Sequence, residues 1–435
     1  MRVIRYQTLL FLTLAWASAA QVMAETPAAH SSTRAAYSLG DCFQAALQRS
    51  EILADQDEVI LQAEEHYRQA LAAVFPAVGL SASYQRQQEI SGTDPDTYQV
   101  KATVTQPLFR GFREFAALRQ NQELIAYQEE SKAWAGLQLY SDTARGYYAV
   151  LAGEADLAHL DDQIKLYEQR IAELSGRVRI GRSRQSEVVS VRAAQAILKA
   201  QRRQAQGQAA AAREVLAFLT GLDPEIQLAE PKDIPKRLGS LPTYLDRVEK
   251  RPDVLAGRKR VEAVRENIAI AKGGRWPSAD LTASAYPVRS GSLKEVRWDA
   301  GISLTLPLFT GGAISSRIRE AESQLRQAEL ALQRIRRLDA ADIRNAYRLL
   351  QASLEQAAAL EEASELSRKN YQLILRDYNL GLSDNLDVLQ ALATDQETRR
   401  SLDRVRYAIL ADYQHLESLA AQIDLSGIPA KENQE

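Results

Sequence analysis

The side chains best equipped for catalysis are few in this chain and poorly placed for it. Its four histidines, His30, His66, His159 and His415, lie far apart in sequence, and none stands at metal-ligand spacing from another. Cys42 is the single cysteine, so no intrachain disulfide can form. The run Leu39-Gly40-Asp41-Cys42 faintly resembles a lipid-attachment site. An acidic residue before the cysteine and the lack of an adjoining apolar run favour a plain thiol instead. There is no G-x-S-x-G elbow and no glycine-rich phosphate loop. Acidic pairs such as Glu64-Glu65, Asp161-Asp162 and Glu361-Glu362 fall within helical patterns, where such pairs are mostly solvated. The expectation is a protein that is not an enzyme and needs neither a cofactor nor a metal.

Two carboxylates stand out by position. Glu187 follows Gly181, and Asp387 follows Gly381, at matching places where one long helical pattern stops and another starts. In Gly381-Leu382-Ser383-Asp384-Asn385-Leu386-Asp387, either Asp384 or Asn385 is suited to cap the new helix through its backbone N–H groups. The other reading is that the tips of several chains converge at a pore mouth. Rings of carboxylates there would bind cations and restrict passage.

The matching places belong to a duplication. QPLFRGF (106–112) reappears as LPLFTGG (306–312), and RSEILA (49–54) as RPDVLA (251–256). FPAVGLSASY (75–84) answers WPSADLTASA (276–285), RGYYAVLA (145–152) answers RNAYRLLQ (344–351), and IGRSRQSEVV (180–189) answers LGLSDNLDVL (380–389). All these offsets lie within a residue or two of 200, so one structural unit is used twice.

Each unit must position its tip with long helices and anchor it with a pair of strands. Leu39 to Ala73 reads as helical and ends at Phe75-Pro76. In 97–108, Tyr98, Val100, Ala102 and Val104 alternate with Gln99, Lys101, Thr103 and Thr105. In the second copy, Val296, Trp298, Ala300, Ile302, Leu304 and Leu306 face one way, and Arg297, Asp299, Gly301, Ser303 and Thr305 the other. That length suits a tilted strand crossing a bilayer; an ordinary hairpin half-buried on a soluble core is the alternative. Each strand pair closes with Pro-Leu-Phe-x-Gly. Pro107 and Pro307 suit a strand's end, and Gly111 and Gly311 let the chain turn into the next helix.

From Arg113 to about Arg179 there is no proline, which predicts a helix of about 100 Å if it is continuous. Leu157, Leu160, Ile164, Tyr167, Ile171, Leu174 and Val178 repeat at alternating spacings of 3 and 4. Ile314, Ile318, Ala321, Leu325, Ala328, Leu332 and Ile335 do the same, a coiled-coil pattern. Fresh helical runs start near Val188 and Val388, so each unit contains a helical hairpin with its tip at 181–187 or 381–387.

The expected domain organisation is a signal peptide at 1–24 and a first repeat at 25–220, with strands at about 78–90 and 97–108. A linker follows at 221–245, carrying Pro224, Pro231, Pro235 and Pro242. The second repeat occupies 246–424, with strands at about 279–289 and 295–308, and a tail completes the chain at 425–435. The leader rests on Arg2 and Arg5, the apolar stretch 9–20 and small residues before Ala24. Without Arg2 and Arg5 there are 52 basic against 56 acidic side chains, a net of −4 and no nucleic-acid signature. No later stretch is long and apolar enough for a membrane helix.

The duplicated halves, the P-L-F-x-G after a strand, and R-x-x-x-G followed by D-V-L resemble the TolC-like outer-membrane efflux proteins over about 39–424. The resemblance implies a mainly α fold in which long coiled-coil hairpins form an α-barrel. It also implies four strands per chain in a trimeric, 12-stranded transmembrane β-barrel. Four strands cannot close alone, and two chains would give a barrel too narrow for an open channel. The implied function is an outer-membrane exit duct with a large periplasmic extension. Its implied partners are two further copies of the chain, outer-membrane lipid, a periplasmic adaptor and an inner-membrane pump of RND or ABC type, with no nucleic acid. The alternative is a soluble periplasmic coiled-coil scaffold or adaptor.

By the same resemblance Glu187 and Asp387 would line a closed periplasmic entrance. Gln390 stands where some members repeat the aspartate. Tyr378 matches a gate tyrosine, but Ser383 replaces the arginine that some members pair with it. The tips, with Gly181, Arg182, Ser183, Gly381, Leu382 and Ser383, would receive the adaptor. The Glu187/Asp387 difference implies that the two copies contribute unequally to any gate.

Overall fold

The computed structural model describes residues 36–86, 88, 96–231, 237–291 and 293–423. The expected leader, most of the arm at 25–40, His30, the loop at 91–95 and the tail at 425–435 lie outside the described residues. No described helix is long and apolar enough to cross a membrane.

The first copy opens with two helices rather than one, α1 (Leu39–Arg49) and α2 (Glu51–Ala72). Ser50 divides them: its backbone is extended, and its side chain accepts from Leu53 N–H to cap α2. Strands β1 (Ala77–Arg86) and β2 (Asp96–Phe109) follow, then α3 (Arg113–Arg179) and α4 (Gln185–Thr220). The segment between copies carries α5 (Leu241–Leu245) and a 3₁₀ turn at Val248–Lys250. The second copy repeats the plan with α6 (Pro252–Gly273), β3 (Ser278–Arg289), β4 (Trp298–Thr305), α7 (Ala313–Leu380) and α8 (Asn385–Leu419). α3 and α7 are single helices of 67 and 68 residues, each about 100 Å long at 1.5 Å per residue.

The strands form one antiparallel sheet in the order β1-β2-β3-β4. Its register aligns Leu80 with Ala102, Ala102 with Ala285, and Ala285 with Trp298, and in the next rows Val78–Val104–Ala283–Ala300. One face is therefore apolar apart from Gln106, which stands opposite Leu281, and Val78, Leu80, Trp298, Ile302 and Leu304 on it are all exposed. A register shift between Pro107 and Phe109 brings Phe109 opposite Ala279 and onto the same face. β4 is shorter than the expected 295–308. Val296 lies in a turn, donating to Leu293 O, and pairing stops at Thr305, before Pro307. β2 passes its own proline where only β3 lies beside it, since its pairing with β1 ends at Ala77↔Thr105; β4 ends opposite Ser278, the first residue of β3.

The cores are strips between helices, as expected when stripes rather than whole surfaces are apolar. Of the first heptad series, Leu160, Ile164, Tyr167 and Leu174 are buried; of the second, Ile318, Ala321 and Leu332. Ion pairs lace the remaining faces. Arg400 of α8 holds Asp156 of α3 through both oxygens at 2.8 and 3.0 Å. Arg202 of α4 does the same to Asp161 at 2.5 and 3.1 Å. His159 bonds Asp403 at 2.6 Å, a packing role between helices.

Where α6, α7 and α8 meet, an arginine is enclosed. Arg251 is 1% exposed and bonds Asp253 of α6 at 2.7 Å, Asp339 of α7 at 3.0 Å and Leu419 O of α8 at 2.7 Å. Its guanidinium also lies 4.5 Å from the Trp134 ring of α3. Burial pushes the Asp339 carboxyl up to about 7 against the opposing pull of Arg251, and neighbouring Asp253 adds to the rise. The equivalent pair in the first copy, Arg49–Glu51, is exposed.

Candidate functional site at the hairpin tips

Both long helices stop in the same way. Arg182 N–H donates to Arg177 O at 2.8 Å and Leu382 N–H to Asp377 O at 2.8 Å, each reaching back past a glycine in the left-handed region. Gly181 has φ 73° and Gly381 φ 78°, values that a side chain would strain. The return helices begin at Gln185 and Asn385, three residues before the expected Val188 and Val388. Glu187 and Asp387 therefore sit in first turns, where helix dipoles favour negative charge.

The two tips then differ. Asp384 caps α8 by accepting from Asp387 N–H at 3.0 Å, and the Asp387 carboxylate accepts from Asp384 N–H at 3.2 Å. Asp384, not Asn385, is the cap. In the first copy Arg184 occupies the capping position with no side-chain bond, and Glu187 instead accepts from Ser183 Oγ at 2.7 Å. Asp387 and Gln390 are exposed and Glu187 is half-buried. Ser383 Oγ donates to Ile374 O at 3.3 Å and ties the second tip to its own helix. Gly181, Arg182, Gly381 and Leu382 are exposed, and Ser183 and Ser383 half-buried. Ile180, Leu380, Leu382 and Leu386 add exposed apolar surface.

Tyr378 is the tip residue that joins the two copies. It is buried with Tyr167, Leu174, Val188, Val388 and Leu392. Two arginines of α3 close over its ring, Arg170 at 4.1 Å and Arg177 at 4.8 Å from the centroid. Arg170 also donates to Asn385 Oδ1 at 3.1 Å and Glu173 at 2.7 Å, while Arg177 reaches Asn379 at 3.0 Å and Glu173 at 2.7 Å. The first copy thus supplies cations across the chain to a tyrosine of the second. Arg170, Glu173 and Arg177 were legible as an i, i+3, i+7 charged stripe on α3; their target was not.

The junction residues lie at the opposite end of the long helices from the tips. Gly111 (φ 71°) turns the chain against the α6–β3 connection, where a Cβ would stand 2.3 Å from Gly273 O. Pro107 lies inside β2, and Pro307 and Gly311 (φ 59°) lie beyond β4. No group of histidine, cysteine or acidic side chains among the described residues is arranged to hold a metal.

A family model described as outer membrane efflux protein matches residues 42–222 and 246–422, the two copies in turn. The outer membrane protein TolC of Escherichia coli is 24% identical over 393 residues, covering 85% of this chain and 79% of that protein. The proteases secretion protein PrtF of Dickeya chrysanthemi is 26% identical over 374 residues, covering 78% and 77%. Among solved structures, CusC superposes with a TM-score of 0.79 at 18% identity, over 88% of this chain and 91% of that one.

Proposed function

Because the chain belongs to the outer membrane efflux protein family and is an outer-membrane exit channel for efflux or secretion, we propose that three copies assemble into one duct. Their twelve strands close a barrel, and their helices continue it as a periplasmic tunnel that ends at the hairpin tips. What carries this reading is the sheet: one face apolar but for Gln106, a polar face opposite, and unpaired edges at β1 and β4. An open sheet in lipid leaves backbone groups unsatisfied, so the strands must close with other copies. A soluble scaffold would have no use for that face.

The tips form the entrance. Glu187 and Asp387, repeated around the axis, ring it with carboxylates that bind cations and narrow passage, and Gln390 lies one helical turn further in. The Tyr378 clasp holds the two hairpins of each chain together when the entrance is shut. Opening moves the hairpins apart like an iris. The exposed tip residues, Gly181, Arg182, Ser183, Gly381, Leu382 and Ser383, receive a periplasmic adaptor. An inner-membrane pump of RND or ABC type supplies the energy, since the duct itself conducts passively. Residues 1–24 direct export and are removed.

Single-channel recording in planar bilayers tests the entrance. Glu187→Ala with Asp387→Ala is expected to raise conductance and abolish block by divalent cations added on the tip side. Unchanged conductance and unchanged block would remove both residues from the gate.

A further inference from the structure

The polar face of the sheet gathers positive charge at one β-bulge. Val100 pairs with Val288 and Ala102 with Ala285, so two residues of β3, Tyr286 and Pro287, stand opposite the single Lys101 of β2. A bulge re-aims the side chains it carries, and a proline suits it because there is no N–H to leave unpaired. Tyr286 is the hub of the cluster. Its hydroxyl donates to Asp299 of β4 at 2.6 Å, and the Arg289 guanidinium lies 4.1 Å and the Lys101 ammonium 5.9 Å from its ring centroid. Two residues back on the same face, Ser284 is 4% exposed, and its Oγ makes no hydrogen bond of ordinary geometry.

Among the described residues neither Lys101 nor Arg289 forms a salt bridge, and the carboxylate of the cluster, Asp299, is held by the tyrosine. The two cations approach one ring and repel each other. An anion seated between them relieves that repulsion and accepts charge-assisted hydrogen bonds from both. The internal repeat shows that the strands themselves do not require these charges. The residues corresponding to Lys101, Tyr286 and Arg289 in the other copy are Gly301, Gln85 and Gln88. The cluster therefore occurs once per chain, at the seam between β2 and β3.

We propose that Lys101 and Arg289, with Ser284 Oγ as a neutral donor beside them, form an anion station on the wall of the barrel. It takes the carboxylate or phosphate groups of solutes in transit. The proposal rests on the reading that the polar face lines the duct, and it names the charge of the solutes that the barrel favours. The duct then carries opposite charges at its two ends, acidic at the helical tips and basic in the barrel. Wall charges act over about 10 Å at 0.1 M salt, so stations repeated around one lumen attract anions jointly.

Ion selectivity in planar bilayers tests it, on trimers purified in detergent. Under a gradient of about tenfold in potassium chloride, Lys101→Gln/Arg289→Gln is expected to lower the chloride-to-potassium permeability ratio about threefold. The half-blocking concentration of inorganic pyrophosphate, added on the side of the strand loops, should rise about tenfold. Lys101→Arg/Arg289→Lys keeps both charges and should match the wild type in both readings. Should the Gln pair fail to assemble, Lys101→Gln alone, at a half-buried side chain, reads the same two quantities. Unchanged selectivity or unchanged block in the Gln variant, or an equal loss in the charge-keeping variant, would overturn the station and leave the duct standing. A wild-type chain that stays monomeric and forms no channel would remove the duct itself.

Discussion

Replacing Tyr378 separates two ways of holding the entrance shut. Its ring lies between Arg170 at 4.1 Å and Arg177 at 4.8 Å, and the tyrosine is 9% exposed. The Arg170 side chain is 7% exposed and that of Arg177 31%. A desolvated cation–π contact is worth about 2 kcal/mol and a partly solvated one about 0.5–1 kcal/mol. Tyr378→Leu keeps much of the apolar packing but removes both contacts, a loss of about 2–3 kcal/mol. If the clasp parts on opening, the closed state loses that amount, and the open:closed ratio rises about 30- to 150-fold. Tyr378→Phe keeps the π face and should behave as the wild type. Single-channel open probability reads both variants, and a double-mutant cycle with Arg170→Met isolates the pair. Two outcomes would refute the reasoning: Phe as leaky as Leu, which would put the work on the hydroxyl, or Leu as tight as the wild type, which would mean that the clasp survives opening.

Three further outcomes follow from the packing. Asp339 holds a proton in the folded chain up to about pH 7 that the unfolded chain releases near its ordinary value of 3.8. Its contribution is therefore complete below pH 4 and lost as pH rises through 7. Asp339→Asn should flatten the fall in melting temperature between pH 5 and 8, measured in detergent; an unaltered slope would disprove the assignment. Gly111→Ala forces a Cβ to 2.3 Å from Gly273 O at φ 71° and should cost about 3 kcal/mol or more, read as loss of folded protein from the membrane fraction. Asp384→Ala removes the cap of α8 and should cost about 1 kcal/mol, seen as faster amide exchange over the first turn, with divalent block intact because Asp387 keeps its charge.

The parts of the fold that follow local rules were legible. The proline-free run predicted a helix from Arg113 to about Arg179, where α3 lies, since nothing in 113–179 interrupts a helix and Gly181 ends it. Alternation placed the strands because a two-sided sheet writes its faces into the sequence. What failed depended on neighbours. β4 ends where its partner β3 begins, at Ser278↔Thr305, so alternation through Val296 and Leu306 overran it. At the tips, Asp384 as cap was one of two options that spacing alone could not separate, because both residues cap well. The Arg170–Tyr378–Arg177 clasp was invisible because it joins residues more than 200 positions apart, and nothing in a heptad says which arginine of one helix meets which ring of another.

The free edges of β1 and β4 also set an order of events. A lone chain cannot enter lipid with two rows of unpaired backbone groups, since each would cost several kcal/mol with no water to satisfy it. Insertion must therefore wait for, or coincide with, encounter between copies, which makes the rate of channel formation depend on chain concentration rather than on one chain's folding speed. Until that encounter, each copy carries two sticky edges and an exposed apolar face through the aqueous space. Slow export would then expose the chain to mispairing, and its yield should fall with dilution even where its helices fold at once.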